Sequence, residues 1–201
     1  RKGVYNSKNY VIDGHEIRVI LLDTRYFRTP LTPDTETDKR IKPNEYGVGT
    51  ILGDTQWNWL EKELQNSTAD FNIIVSSIQY LSQEHGFEAW GNFPHEVDRL
   101  SKLIEDTKPK GVVVLSGDRH ISEFSKINLE GIDYPLIDFT SSGLTHAYRE
   151  FSGEPNKYRV GEVVYTESFG ILEFDFKAKT VDFKIVGDNG NVLGQLEQVY
   201  E

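Results

Sequence analysis

The sequence of 201 residues contains neither cysteine nor methionine. The lack of cysteine excludes disulfide bonds and zinc sites built on four cysteines, but it does not identify a cellular compartment. No apolar run approaches the roughly 20 residues that would cross a bilayer as a helix, and the opening residues lack the pattern of a signal peptide. Because the chain starts at Arg1 and has no methionine, we expect a mature form or a fragment.

Positive charge is scarce relative to negative charge. The chain has 22 lysines and arginines against 32 aspartates and glutamates, a net charge of −10, with a pI near 5.0. This balance argues against nonspecific binding of nucleic acid and against anchoring on an anionic membrane. An anionic substrate would be repelled at long range, so a phosphate site would need local cations such as a bound metal ion. The length suits one domain over residues 1–201, without repeats.

The most informative stretch is Gly111–Glu123, which reads GVVVLSGDRHISE. Val112–Leu115 is an unbroken apolar run and predicts a strand buried on both faces. Gly117-Asp118-Arg119-His120 follows directly, so a carboxylate and an imidazole would lie at the strand end, where α/β proteins bind ligands. Aspartate oxygen and histidine nitrogen are ligands for iron, zinc or manganese. The alternative is that Asp118 caps a helix and His120 is a surface histidine.

Further segments give this motif a context, and all of them occur in one order along the chain. They are RKGVYNS at 1–7, ILLDTRYFR at 20–28, LGDTQWNWL at 52–60, SSIQYL at 76–81, EHGFEAWGNFPHE at 84–96 and TSSGLTH at 140–146. Together with SGDRHISE they resemble the calcineurin-like metallophosphoesterases in their alkaline phosphatase D (PhoD-like) variant. That variant has aspartate where most of the superfamily has the first histidine of Gly-His-x-His.

The resemblance implies an α/β fold, a metallophosphoesterase-type sandwich of two packed mixed sheets flanked by helices, of which this chain would be the C-terminal half. It implies metal-dependent hydrolysis of phosphomonoesters and phosphodiesters by a metal-activated water, outside the cytoplasm, in the periplasm or the extracellular space. The implied ions are iron with calcium, while the donor types also allow zinc or manganese. Asp118 and His120 would bind metal, and Arg25, His85 and His146 would orient substrate or stabilise charge.

Each of the three weaker candidates has a structural alternative. Arg25 could form a salt bridge with Asp23 that holds the following loop. His85 could be an exposed loop histidine, and so could His146, although the latter matches the family segment. Glu154, Asn156 and Arg159 lie in the same loop as His146 and belong to the same pattern.

The sequence departs from the superfamily at two points. Ile78, followed by Gln79, stands where most metallophosphoesterases have a metal-binding histidine at a strand end, although PhoD-like members commonly lack it. The upstream motifs of the superfamily, Gly-Asp-x-x-Asp and Gly-Asn-His-Asp, are absent. A binding or structural module that kept the fold without catalysis is therefore the second hypothesis. A carbohydrate-binding domain, suggested by the tyrosines, tryptophans and C-terminal strands, is the third.

Patterning also predicts the secondary structure. A hairpin turns at Asp13-Gly14, a long loop covers Thr29–Thr50, and helices begin near Asp54, as N-cap, and near Pro94. Trp57, Leu60 and Leu64 form one apolar face of the first helix, and we expect the tryptophans in the core rather than in contact with a ligand. The predicted strands besides Val112–Leu115 are Tyr10–Ile12, Glu16–Asp23, Phe71–Ser77, Glu123–Leu129, Tyr134–Thr140, Val160–Thr166, Phe169–Phe176, Val181–Val186 and Val192–Tyr200.

We expect residues 1–201 to be half of a catalytic domain, inactive alone, with the missing N-terminal half supplying the remaining ligands. The strands at Val19–Asp23 or Val112–Leu115 would then lack neighbours, and the isolated chain would aggregate or pair with another chain. The measurement is to purify these residues, add iron, zinc, manganese or calcium, and assay phosphomonoester and phosphodiester hydrolysis. A soluble monomer with robust metal-dependent turnover would contradict this expectation.

Overall fold

A computed structural model describes residues 2–200, which form a seven-stranded sheet, a three-stranded sheet, a two-stranded hairpin and two α-helices. The helices are α1 (Gly53–Gln65) and α2 (Pro94–Thr107), and a 3-10 turn covers Trp90–Asn92. The strands are β1 (Asn6–Ile12), β2 (His15–Leu21), β3 (Thr32–Pro33), β4 (Ile41–Lys42), β5 (Phe71–Val75), β6 (Val112–Ser116), β7 (Ser122–Ile127), β8 (Leu136–Ser141), β9 (Arg159–Val164), β10 (Ser168–Asp175), β11 (Thr180–Gly187) and β12 (Val192–Val199).

The large sheet has the strand order β1-β2-β5-β6-β8-β7-β9. Its four central strands, β2, β5, β6 and β8, run parallel to one another, whereas β1, β7 and β9 pair antiparallel with their neighbours. Strands buried on both faces read as continuous apolar runs, and Val112, Val113 and Val114 of β6 are all fully buried. Because the central strands are parallel, their carboxyl ends meet at one edge of the sheet.

The large sheet is covered on both faces. Side chains alternate along a strand, so neighbouring residues of β8 report on opposite faces. Asp138 points to the segment that precedes α2 and accepts hydrogen bonds from its backbone, while the ring of Phe139 lies 6.0 Å from that of Phe183 in the three-stranded sheet. The fold is therefore the predicted α/β sandwich of two sheets with helices outside. The smaller sheet, in the order β10-β11-β12, is purely antiparallel rather than mixed.

The two sheets approach most closely at Gly170. A Cβ atom added there would lie 2.6 Å from Cε1 of Phe139, well inside van der Waals contact. While phenylalanine occupies position 139, glycine is therefore required at position 170 of β10, because any side chain would push the aromatic ring, and the β8 strand that carries it, away from the small sheet.

Several local predictions are confirmed. Asp13 and Gly14 both have positive φ, 51° and 84°, as a tight hairpin turn between β1 and β2 requires. The apolar face of α1 buries Trp57, Leu60 and Leu64. Pro94 begins α2, where its missing N–H is no loss. The tryptophans at 57 and 90 are core residues, as expected, because both are at most 2% exposed.

Two local predictions are wrong. Asp54 does not cap α1: the N-cap position is Leu52, Gly53 donates its N–H to the Thr50 hydroxyl at 2.9 Å, and Asp54 lies within the first turn. The segment Thr29–Thr50 is not entirely without strands, since it contains the short hairpin of β3 and β4.

The strands expected to lack neighbours are in fact paired on both sides. β2 lies between β1 and β5, and β6 lies between β5 and β8. The edges of the large sheet are instead β1 and β9. β1 carries exposed apolar side chains, with Tyr10 46%, Val11 72% and Ile12 49% exposed. The β1–β2 hairpin therefore covers β2, two parallel neighbours cover β6, and the apolar surface is left on the edge strand β1.

Glu96, near the start of α2, joins three parts of the helical layer. Its buried carboxylate accepts hydrogen bonds from the backbone N–H of Ile51 at 2.6 Å, the hydroxyl of Thr50 at 3.0 Å and the indole N–H of Trp57 at 2.7 Å. It thus fixes the residues before α1, and α1 itself, against α2.

We predict that Glu96→Ala lowers the free energy of unfolding by about 3 kcal/mol, because it leaves a backbone N–H and an indole N–H buried without acceptors. Urea titration followed by circular dichroism measures the change. Glu61→Ala is the matched control, since Glu61 is exposed on α1 and forms no hydrogen bond within residues 2–200. Equal effects of the two substitutions would show that the Glu96 contacts contribute nothing specific.

Candidate active site

The carboxyl ends of the four parallel strands bring short polar residues together. Thr24, after β2, hydrogen-bonds through its hydroxyl to that of Ser77, after β5. A Cβ atom placed on Gly117, after β6, would lie 3.6 Å from both the Ser77 carbonyl oxygen and the Cβ of Ser142, after β8. This continuous polar edge is where open α/β sheets bind ligands.

Asp118 and His120 lie in the loop between β6 and β7, with exposed side chains. Both adopt positive φ, 73° and 55°, a left-handed conformation that is uncommon for residues other than glycine. Such conformations collect at functional sites, where the surrounding structure enforces them. The helix-cap alternative for Asp118 is wrong, because β7 follows this loop and no helix does.

His146 lies beside His120. The two imidazole rings are 5.0 Å apart between centroids and nearly perpendicular, at 86°. The loop that carries His146 is attached to the Asp118 loop, since the backbone N–H of Tyr148 donates to the carbonyl of His120 at 2.8 Å. Three of the five predicted residues, Asp118, His120 and His146, therefore lie in two adjacent loops at the carboxyl edge.

Arg25 forms its ion pair with Glu88 and not with Asp23, the partner that the structural alternative considered. Its guanidinium pairs with Glu88 at 2.7 Å, and Arg28 pairs with the same carboxylate at 3.0 Å. The Asp23 carboxylate instead accepts backbone N–H groups of Val4, Arg25 and Tyr26. The alternative of a salt bridge between Asp23 and Arg25 is thus wrong. The Arg25 side chain remains 59% exposed.

His85 is buried, so the prediction of an exposed loop histidine is wrong. Its residue surface is 7% exposed, and its Nδ1 accepts the backbone N–H of Phe87 at 3.1 Å. Burial, together with the positive charge of Arg119, lowers the pKa of His85 to about 4, so the ring is neutral at pH 7. A neutral ring with Nδ1 as acceptor carries its proton on Nε2, and this buried atom has no hydrogen-bond partner within residues 2–200.

Arg119 connects His85 to the candidate metal ligands on either side of it in the chain. Its guanidinium lies 3.9 Å from the ring centroid of Phe87 and pairs with Glu154. Since Glu154 belongs to the loop of His146, one buried cation joins three loops at the strand ends.

Below these loops lies a buried acid that sequence reasoning missed. Glu123 is 1% exposed and accepts hydrogen bonds from Gln79 at 2.7 Å, Arg159 at 2.7 Å and Asn156 at 3.3 Å. The signal was present, because Glu123 closes the motif SGDRHISE and Asn156 and Arg159 belong to the family pattern. Ile78, at the position of the superfamily histidine, is buried, and Gln79 beside it supplies the polar contact instead.

Asp138 is the second buried acid that sequence reasoning missed. Its carboxylate accepts the backbone N–H groups of Tyr80 at 2.9 Å and Leu81 at 2.8 Å, and the hydroxyl of Ser116 at 2.7 Å. Burial raises the pKa of Asp138 to about 6, and these hydrogen bonds offset the effect only in part.

The donors at the edge fit a partial metal site. One carboxylate and two imidazoles suit iron, zinc or manganese better than calcium, which prefers oxygen. Within the described range, residues 2–200, no three side chains of histidine, aspartate or glutamate are close enough to form a cluster that could hold an ion. Asp118 and His120, with His146 nearby, could therefore provide only part of the donor set that a metal ion needs. No helix in the same range is long and apolar enough to cross a membrane.

Comparisons with known proteins agree with this architecture. The profile of a family described as PhoD-like phosphatase matches residues 4–183. Alkaline phosphatase D of Bacillus subtilis (strain 168) is 28% identical over 122 residues, which make up 55% of this chain and 20% of that protein. A solved structure of PhoD superposes with a TM-score of 0.67 at 18% identity, over 96% of this chain and 40% of the other. The chain thus spans less than half the length of these relatives.

The raised pKa of Asp138 gives a pH-dependent prediction. The pKa of Asp138 is near 3.8 in the unfolded chain and about 6 in the folded protein. Between these two values the folded protein binds a proton that the unfolded chain does not bind, so the folded protein loses stability as the pH rises from 4 to 6. Asp138→Asn cannot ionise, and its amide can still bond to Ser116 and the two N–H groups. The stability difference between variant and parent should therefore shift in favour of the variant by about 2 kcal/mol across this range.

Urea unfolding at pH 4, 5, 6 and 7 measures this difference. Asp188→Asn, in the exposed turn between β11 and β12, is the matched control and should run parallel to the parent protein. An Asp138→Asn variant with the same pH profile as the parent would show that the buried carboxyl does not titrate in this range.

Proposed function

The chain belongs to the PhoD-like phosphatase family, and from this membership we propose that it forms part of the active site of a metal-dependent phosphoesterase. The reaction is hydrolysis of phosphomonoesters or phosphodiesters by water, and the chain provides one side of the catalytic centre. By the same family resemblance, the protein acts outside the cytoplasm, in the periplasm or the extracellular space. The observation that supports the proposal best is the position of Asp118, His120 and His146 in two adjacent loops at the carboxyl edge, with the two imidazole rings 5.0 Å apart.

In this proposal Asp118 and His120 bind metal through carboxylate oxygen and imidazole nitrogen. Bound metal ions supply a water of pKa near 7 and offset the negative charge on the phosphoryl oxygens. The resemblance implies iron with calcium, and the nitrogen donors leave zinc or manganese open. The complete donor set requires further ligands, which we assign to the N-terminal half of the same catalytic domain.

The remaining residues act on the substrate. The exposed Arg25 guanidinium, steered by Glu88, provides a cation for a phosphate oxygen in a chain whose net charge is −10. His146 lies beside His120, where it can donate to the same phosphate or complete the donor set. Neutral His85 keeps an unpartnered Nε2–H that can donate a hydrogen bond to an oxyanion or to a metal-bound group.

The second hypothesis, a non-catalytic module, rests on Ile78, which replaces a superfamily metal ligand with a buried apolar side chain. Metal analysis separates it from the enzyme, because a module without catalysis needs no ion at Asp118. The carbohydrate-binding hypothesis loses two of its three tryptophans, since Trp57 and Trp90 are buried in the core and cannot stack on a sugar.

We predict that Asp118→Asn in the intact protein lowers turnover of a nitrophenyl phosphate ester by at least about 100-fold while the thermal midpoint stays near that of the parent. The amide keeps the shape of the carboxylate and removes the charge that holds a metal ion. Metal content by mass spectrometry should fall in the same variant. Asp54→Asn, exposed on α1, is the control and should keep full activity and metal content. Near-normal hydrolysis by Asp118→Asn would contradict the assignment.

A further inference from the structure

A cavity of about 430 Å³ lies at the end of the sheet opposite to Asp118 and His120. It is bordered by His15 at the start of β2, Phe71 at the start of β5, Gly111 before β6 and Tyr134 before β8. These are the amino ends of the parallel strands, one strand length from the carboxyl edge. The volume is within the range of small-molecule sites.

The walls of the cavity are aromatic. The ring of Tyr200 lies 5.1 Å from that of Tyr134 and 5.7 Å from that of Phe71, and the ring of Phe176 stacks on His15 at 4.5 Å with an angle of 8°. Such rings offer flat apolar faces to a planar ligand.

The rim is basic in an otherwise acidic protein. Lys108, Lys110 and Lys179 line the cavity together with two aspartates, in a chain whose net charge is −10. Asp70 already accepts hydrogen bonds from the His15 ring at 3.3 Å and the Glu16 N–H at 3.0 Å. Within residues 2–200 the three lysines form no ion pair, although Lys110, after the Glu16 N–H and the His15 ring, helps to lower the pKa of Asp70 from a longer distance. The lysine ammonium groups can therefore also meet an anion.

The wall also contains an unpartnered polar atom. Tyr200 is 5% exposed, and its hydroxyl has no hydrogen-bond partner within residues 2–200. The neighbouring hydroxyl of Tyr134, in contrast, donates to the carbonyl of Pro109 at 2.5 Å and accepts from the N–H of Val112 at 3.1 Å. A buried hydroxyl without a partner costs free energy that a ligand atom could recover.

We propose that this cavity is a second binding site, which takes a flat aromatic anion. The ring packs against Phe176 and the two tyrosines, the anionic group meets the lysines, and the Tyr200 hydroxyl bonds to a polar atom of the ligand. Lysine ammonium groups accept a carboxylate or a phosphate, so both sources of the negative charge are possible and the experiment separates them.

The experiment uses probes that a phosphoesterase cannot hydrolyse. 2-Naphthoate and 2-naphthylphosphonate carry a carboxylate and a phosphonate on the same ring, and 2-naphthylmethanol is the neutral equivalent. Isothermal titration of the intact protein should give binding of both anions and at least tenfold weaker binding of the alcohol. The stronger of the two anions identifies the kind of charged group that the site prefers. In ¹⁵N NMR spectra the amides of Gly111 and Gly131 should shift, and those of Gly117 and Gly143 should not.

Three substitutions locate the site. Lys110→Gln should weaken binding of the anions about tenfold, and Tyr200→Phe about fivefold. Asp133→Asn removes a rim carboxylate and should tighten binding about threefold, a gain that misfolding cannot produce. Lys62→Gln, exposed on α1, is the matched control and should change nothing.

Absence of binding by both anions up to about 1 mM would overturn the proposal. Equal binding of the neutral alcohol would overturn the role of the lysines. Binding lost in Asp118→Asn and kept in Lys110→Gln would place the ligand at the carboxyl edge and overturn it as well. None of these results depends on phosphoesterase activity.

Discussion

The buried carboxylate of Asp138 fixes the path of the chain where it leaves the sheet after β5. It holds two consecutive backbone N–H groups, at Tyr80 and Leu81, and the hydroxyl of Ser116 at the end of β6. No apolar residue could satisfy these three donors, which lie in the interior. The segment that they anchor continues directly into His85, so the position of this histidine at the carboxyl edge depends on an acid in the neighbouring strand.

The candidate site lies next to this acid and is formed by loops, not by strands. Charged side chains hold these loops together. Arg119 pairs with Glu154 and lies over Phe87, and Glu84 accepts the backbone N–H of Lys157 at 3.0 Å. Because the ion pair of Arg119 with Glu154 is partly buried, it holds the loops more firmly than an exposed ion pair would, whereas the Glu84 contact lies at the surface. The parallel strands determine where the loops begin, and the charged contacts determine how their side chains face one another.

Much of this architecture could be predicted from local pattern. The valine run of β6, the Asp13-Gly14 turn and the apolar face of α1 each depend on neighbours in sequence, and each is found as expected. The insertion of β8 between β6 and β7 could not be predicted, because strand order depends on contacts between distant segments. The ion pair between Arg25 and Glu88 could not be predicted either, because the two residues are 63 positions apart. Asp138 and Glu123 were missed because an acid within a strand suggests a solvent-facing position, and only the folded contacts show that both point inward.

The contact between Gly170 and Phe139 couples the two sheets in space, and it constrains the two positions together. A Cβ atom at position 170 would lie only 2.6 Å from the ring of Phe139. The space between the sheets therefore limits the combined volume of the side chains at positions 139 and 170, and not the volume of either one alone. Natural sequences with a side chain at position 170 should therefore carry a smaller residue at position 139. Such paired variation would link β8, which ends at the candidate site, to β10 of the opposite sheet. The distance between the sheets would then be inherited as a property of the pair.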